Sequence, residues 1–143
     1  TTDSYTPVTT FAGGTNWKQV SCGQNCSAAT KTDGTLWTWG RNFRGQLGTN
    51  DSVDRYTPVT TFGGGNDWKI VEMIGSSCFG IRTNGSLWVW GYDAYGQLGV
   101  SGTDDKLTPV QVDIVTNGWK TIFSGHDSAS IGALTFEGEY LSS

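Results

Sequence analysis

Charge is scarce in this sequence. Asp, Glu, Lys and Arg make up 15% of its 143 residues, against about 25% in an average soluble protein. Proline occurs three times, methionine once and histidine once. No apolar run approaches the roughly 20 residues a helix needs to cross a bilayer, so no membrane span is expected. Ala, Glu, Lys and Leu do not dominate, which excludes a coiled coil. The net charge of −4 and a pI near 4.7 argue against a nucleic-acid partner, which requires a basic face. Position 1 is not methionine and no signal-like segment follows. The chain therefore reads as a processed, trimmed or partial form of something longer.

Reactive groups are scarce too. His126 is the only histidine, so a Ser–His–Asp arrangement would need it as base beside Asp127 or Ser128. No nucleophile-elbow sequence surrounds it, and it reads as a loop residue. Cys22, Cys26 and Cys78 are the only thiols. Cys22 and Cys26 could close a small disulfide or supply two metal thiolates, but a structural zinc site needs four ligands, and the only others, Cys78 and His126, fall in different repeats. An odd number leaves at least one thiol free or paired between chains. Cys26 and Cys78 are read as equivalent buried positions in neighbouring repeats. The carboxylates Asp51, Asp54, Asp104, Asp105, Asp113, Glu137 and Glu139 lack the spacing of a calcium-binding hand. Gly63-Gly64-Gly65 lacks the Gly-Lys-Ser/Thr of a phosphate loop. No catalytic residue, metal or cofactor is expected, and the chain is not read as an enzyme.

Glycine and tryptophan are abundant, at 21 and 7 residues. So many aromatics with so little charge exclude a disordered chain. They fall in a repeat of period 51, marked by Pro7, Pro58 and Pro109 and by Trp17, Trp68 and Trp119. Residues 5–20 and 56–71 agree at twelve of sixteen positions, and residues 33–48 and 84–99 at nine of sixteen. The third copy keeps Thr108-Pro109-Val110 and Trp119-Lys120, then decays. Each copy has short runs with β character. Asp33-Gly34 and Asn84-Gly85 separate two of them, a strong hairpin signature. Four short strands in about 50 residues match one propeller blade. A duplicated β-sandwich is the alternative, but three evenly spaced copies suit radial repetition better.

The pieces Trp39-Gly40 with Gly45-Gln46-Leu47-Gly48, and Trp90-Gly91 with Gly96-Gln97-Leu98-Gly99, resemble the regulator of chromosome condensation repeat. The resemblance covers nearly the whole chain, though residues 124–143 match poorly. It implies a β-propeller, typically of seven blades. The family usually places histidine three residues after the glycine that opens the second strand. Here Gly23, Gly75 and Gly125 lead to Cys26, Cys78 and Ser128. That departure, with the Thr-rich and Lys-poor wording, is similar to bacterial and bacteriophage members.

The expected architecture is all-β, a single array over 1–143 of about three blade-equivalents, each a four-stranded antiparallel sheet. Residues 17–60 form one blade, 68–111 a second and 119–143 an incomplete third, with 5–10 an orphan outer strand. Three blades cannot close a ring. The array is thus part of a longer propeller polypeptide, part of a closed oligomer, or joined head to tail by strand completion between copies. Trp17, Trp37, Trp39, Trp68, Trp88, Trp90 and Trp119 are assigned to packing between blades. Gln46 and Gln97 are expected to bond loop backbone. Contact residues are sought where the copies differ: Arg41, Asn42, Phe43 and Arg44 against Tyr92, Asp93 and Tyr95, since loops on rigid scaffolds carry function. The expected function is a non-enzymatic structural or protein-binding module, part of a virion or an extracellular surface assembly. The alternatives are a soluble regulator or inhibitor propeller that binds a partner protein, and a carbohydrate-binding propeller.

Overall fold

The computed structural model describes residues 14–112, 118–124, 131–135 and 140–142. The orphan strand expected at 5–10 lies outside them, as do Asp113, His126, Asp127, Ser128, Glu137 and Glu139. All regular structure among the described residues is strand. The first sheet contains β1 (Trp17–Cys22), β2 (Cys26–Lys31), β3 (Leu36–Gly40) and β4 (Arg55–Thr60). The second contains β5 (Trp68–Ile74), β6 (Ser77–Arg82), β7 (Leu87–Gly91) and β8 (Lys106–Gln111). Both are antiparallel meanders with strands in sequence order. A third sheet has β9 (Trp119–Ser124), β10 (Ile131–Thr135) and β11 (Tyr140–Ser142) in the order β11-β10-β9. The fold is a partial β-propeller.

The turns between second and third strands show how sequence sets local geometry. Asp33 Oδ1 accepts from the Thr35 N–H at 3.0 Å and the Thr35 hydroxyl at 2.6 Å. That same hydroxyl oxygen accepts from Trp37 Nε1 at 2.9 Å. Asn84, Ser86 and Trp88 repeat the relay at 3.0, 2.6 and 2.9 Å. A short polar side chain bonding the backbone two residues on is what makes Asp-Gly and Asn-Gly turn-formers. A cation then caps each pair of indoles. Lys31 Nζ lies 4.6 Å from the ring centres of both Trp17 and Trp37. The Arg82 guanidinium lies 4.3 Å from Trp68 and 4.8 Å from Trp88, an attraction to the ring faces.

The core lies in the seams between sheets. In the first seam Cys26, Ala28, Leu36 and Leu47 of one blade meet Trp68, Val71, Met73, Cys78 and Trp90 of the next. In the second, Phe79, Ile81, Leu87, Val89, Leu98 and Val112 meet Trp119 and Ile122. Trp68 is 2% exposed and Trp90 fully buried, and their rings meet at 5.8 Å. Trp88 packs against the first seam. Trp17, Trp37 and Trp39 are half-buried, on the sheet whose corresponding face no other described strand covers. Backbone bonds reinforce the seam. The Gln19 side chain donates to Val71 O at 2.9 Å and accepts from Val71 N at 3.1 Å, while Ser21 Oγ accepts from Met73 N at 2.9 Å.

The Gly-Gln-Leu-Gly turn of the first blade is docked on the second blade. Trp90 Nε1 donates to Gln46 O at 3.1 Å. The Asn50 N–H donates to Leu107 O at 2.9 Å. A Cβ on Gly48 would lie 2.9 Å from Trp90 Nε1, so the close approach requires glycine there. The Trp-Gly of one copy thus receives the Gly-Gln-Leu-Gly of the preceding copy.

Strand register corrects one sequence assignment. Cys26 pairs with Gly40, and Ser77 pairs with Gly91, so Cys26 corresponds to Ser77. Ser27 pairs with Trp39 and Cys78 with Trp90, so Cys78 corresponds to Ser27. The two thiols are one register position apart. Adjacent strand positions point to opposite faces, so Cys26 and Cys78 enter the same seam from opposite sides.

Candidate functional site

Both loop classes that differ most between copies lie at one end of the sheets. The β1–β2 turn and the β3–β4 loop are joined there by Arg41 N–H to Asn25 O at 2.8 Å. In the second blade Tyr92 N–H donates to Ser76 O at 2.9 Å in the same way.

Two of the residues expected to make contacts do not reach the surface. Asn42 and Asp93 are both completely buried. The Asn42 amide donates to Thr49 Oγ1 at 2.9 Å, Asp51 O at 2.9 Å and Asp51 Oδ1 at 3.1 Å, and its oxygen accepts from Leu47 N at 2.9 Å. It locks the loop from inside. Asp93 Oδ1 accepts from Leu98 N at 2.9 Å, and its other oxygen faces Lys106 Nζ at 3.6 Å. In the first blade the loop's ion pair is Asp51–Arg55 at 2.6 Å. Hydrogen bonding from the Val53 N–H, helped by Arg55 and Thr49, holds the Asp51 carboxyl below its usual range. The second blade has Gly102 where the first has Asp51. The loop carboxylate has moved from position 51 to the place of Asn42, and the cation, at the aligned position 55 or 106, pairs with it in each blade. In the sequence alone this difference reads as surface variation. Aligning positions 42, 51 and 55 with 93, 102 and 106 reveals an internal charge rearrangement.

The other candidates frame a cleft of about 680 Å³ between the first two blades. Phe43 and Tyr95 stand at its mouth, 55% and 83% exposed. The Arg44 guanidinium lies 5.3 Å from the Phe43 ring centre and 4.9 Å from that of Tyr92. Tyr92 and Tyr95 meet edge to face at 5.9 Å. Arg41 approaches Phe43 at 5.7 Å and is itself exposed. The wall is completed by Gly23, Gln24, Ile74, Gly75, Ser76 and Gln97. Gln46 and Gln97 do hold loop backbone, accepting from Arg44 N at 2.8 Å and Tyr95 N at 2.9 Å. These bonds fix the backbone at Arg44, next to Phe43, and at Tyr95. Neither Trp37 nor Trp88 lines the cleft, so those indoles offer no stacking platform for a sugar ring there.

Cys22 also lines the cleft and is exposed, whereas Cys26 and Cys78 are buried. Burial pushes the Cys26 thiol up to about 11 and the Cys78 thiol well above the ordinary value of 9.0. Since the thiolate is the reactive form, a disulfide reagent at pH 8 is expected to titrate one thiol quickly in the folded chain and three after denaturation. Two or more fast thiols in the folded chain would contradict the seam. Raised folded-state values also set a sign for stability. Below pH 9 both states hold these protons; above it the unfolded chain loses them first, so stability falls as pH rises from about 9 towards 11. No group of three or more His, Cys, Asp or Glu side chains among the described residues is placed to hold a metal.

Models of the regulator of chromosome condensation repeat match residues 33–77 and 84–130, and a second model of that repeat matches residues 17–46. The chain belongs to this family. It is 32% identical over 133 residues to the ultraviolet-B receptor UVR8 of Arabidopsis thaliana, covering 85% of this chain and 30% of that protein. It is 32% identical over 116 residues to the human E3 ubiquitin-protein ligase HERC2, covering 74% of this chain and 2% of that protein. The chain therefore spans only part of the length of each relative. Its fold matches human WBSCR16 with a TM-score of 0.75 at 24% identity, over 88% of this chain and 32% of that one. It matches yeast RCC1 (Prp20), solved bound to Kap60, with a TM-score of 0.72 at 22% identity, over 89% and 29%. In this family's terms, the cleft lies in the seam between two consecutive repeats, at the end carrying the Gly-Gln-Leu-Gly loops.

Proposed function

We propose that this chain is a non-catalytic, protein-binding part of a regulator-type propeller, and that its partner docks over the cleft between the first two blades. The observation that carries this reading is the aromatic and arginine cluster at the cleft mouth. Phe43 and Tyr95 remain largely exposed although the Gln46 and Gln97 side chains fix the backbone at Arg44, next to Phe43, and at Tyr95. Exposed aromatic rings and arginine on a pre-organised frame are the residue types that dominate binding energy at interfaces. Rigid placement also lowers the ordering cost of association.

The relatives support this choice over a virion or extracellular surface module. One is a receptor and another a ubiquitin ligase. Yeast RCC1 has been solved with Kap60, and Prp20p has been described for its binding to Gsp1p and histones. The carbohydrate reading requires open indoles, and the cleft is lined by none.

The test is affinity capture from the source cells with three forms of the chain: unaltered, Phe43→Ala/Tyr95→Ala, and Phe62→Ser. Phe62 is also exposed but follows β4 outside the cleft. A specific protein should be retained by the unaltered and Phe62→Ser forms and lost by the cleft variant. Equal retention by all three would reject the cleft as the docking surface.

A further inference from the structure

We infer that the cleft receives an acidic peptide segment of the partner, with a carboxylate seated against Arg44; this rests on the docking reading above and specifies its chemistry. The chain as a whole is acidic, with 13 Asp and Glu against 9 Lys and Arg. The cleft reverses that balance. Its described lining contains Arg44 and no carboxylate, and Arg41 also approaches the Phe43 ring, at 5.7 Å. Two guanidinium groups are thus gathered about one exposed ring.

Arg44 is held for this role. Its guanidinium lies near both the Phe43 and Tyr92 rings, and stacking of this kind holds arginine while its donors still serve a carboxylate. Its ion pair with Asp105 is long at 3.4 Å. The other Asp105 oxygen already accepts from Asp93 N at 3.1 Å. Arg44 is 45% exposed, so an incoming carboxylate can pair with it in the fork geometry arginine favours. Tyr95 and Phe43 flank that position and offer ring faces to the apolar parts of the same segment. Gln24 and Ser76 line the wall and add polar groups for its backbone. A basic segment would meet guanidinium groups instead, and like charges at an interface are strongly disfavoured.

The experiment uses the chain itself and a fluorescent peptide of alternating Glu, Gly and Phe, read by polarisation at low and at moderate salt. The control peptide replaces each Glu with Gln. Binding should be at least about tenfold tighter for the Glu peptide and should weaken as salt rises. Arg44→Gln should remove about tenfold and Arg44→Lys less, with an unchanged unfolding midpoint showing that the fold is intact. Equal binding of the Glu and Gln peptides, or no dependence on Arg44, would overturn the inference. So would competition by inorganic phosphate or single-stranded DNA as effective as the Glu peptide, since the site would then be a phosphate site. Absence of any peptide binding at millimolar concentration also overturns it. The partner-capture result for Phe43→Ala/Tyr95→Ala stands apart from these outcomes, so failure of the acidic specificity is distinguishable from failure of the docking surface.

Discussion

Gly91→Ala is expected to lower the unfolding midpoint by about 10 °C, from a loss of about 3 kcal/mol. Gly91 ends β7 with φ at 97°, a region that costs a residue with a Cβ about 1–2 kcal/mol. The larger part is steric. A Cβ there would lie 2.4 Å from Ser76 O and 3.2 Å from Gln46 Cα. One contact is backbone within its own blade, the other backbone of the preceding blade. Neither can rotate away, so the β5–β6 turn must shift and the Gln46 backbone across the seam must give by a few tenths of an ångström. Gly102→Ala is the control. Its φ is 85°, and the nearest atom to a new Cβ is Lys106 Nζ at 4.0 Å. That variant should lose only about 1–2 kcal/mol. Calorimetry or circular dichroism on both chains measures the difference. Equal losses would mean that neither backbone contact presses on Gly91.

Lys106→Met removes the cation facing the Asp93 carboxylate, which is fully buried. Leaving a buried charge without its partner costs about 3–5 kcal/mol. The expected loss is near the lower end, because Asp93 keeps its bond from Leu98 N. Adding Asp93→Asn should restore most of it. The first blade already uses Asn42 at this place and satisfies its amide with the carbonyl of Asp51, whose counterpart is the carbonyl of Gly102. Urea denaturation of the single and double variants tests this. If Lys106→Met/Asp93→Asn is no more stable than Lys106→Met alone, the loss does not come from an uncompensated carboxylate.

The two predictions probe different links between sequence and structure. The glycine of Trp90-Gly91 is legible from the repeat as a turn residue. Its strict requirement comes from Ser76 O in its own blade, and nothing within one repeat states that Gln46 of the preceding copy closes on it as well. The motif reads along the chain, but its halves work across a seam. The Asp93–Lys106 pair fails to read for another reason. Loop positions that vary between copies are reasonable candidates for contact with partners. At 42 and 93 the variation instead compensates a change at 51 and 102, and only burial separates these cases.

The cleft was legible in part. Phe43, Arg44, Tyr92 and Tyr95 stand out as aromatic and arginine substitutions beside a shared turn. Cys22, Gln24 and Ser76 do not, because they come from the end of β1 and from the β1–β2 and β5–β6 turns, which carry no functional signature.

The period of 51, the Asp-Gly and Asn-Gly turns and the Trp-rich strands were enough by themselves to determine a repeated antiparallel sheet, because strand alternation and turn chemistry are local. Register, burial and the pairing of one blade's turn with the next blade's tryptophan were decided by tertiary packing. A one-residue offset reverses which face a side chain occupies, as at Cys26 and Cys78, and only the neighbouring sheet selects the face to be buried.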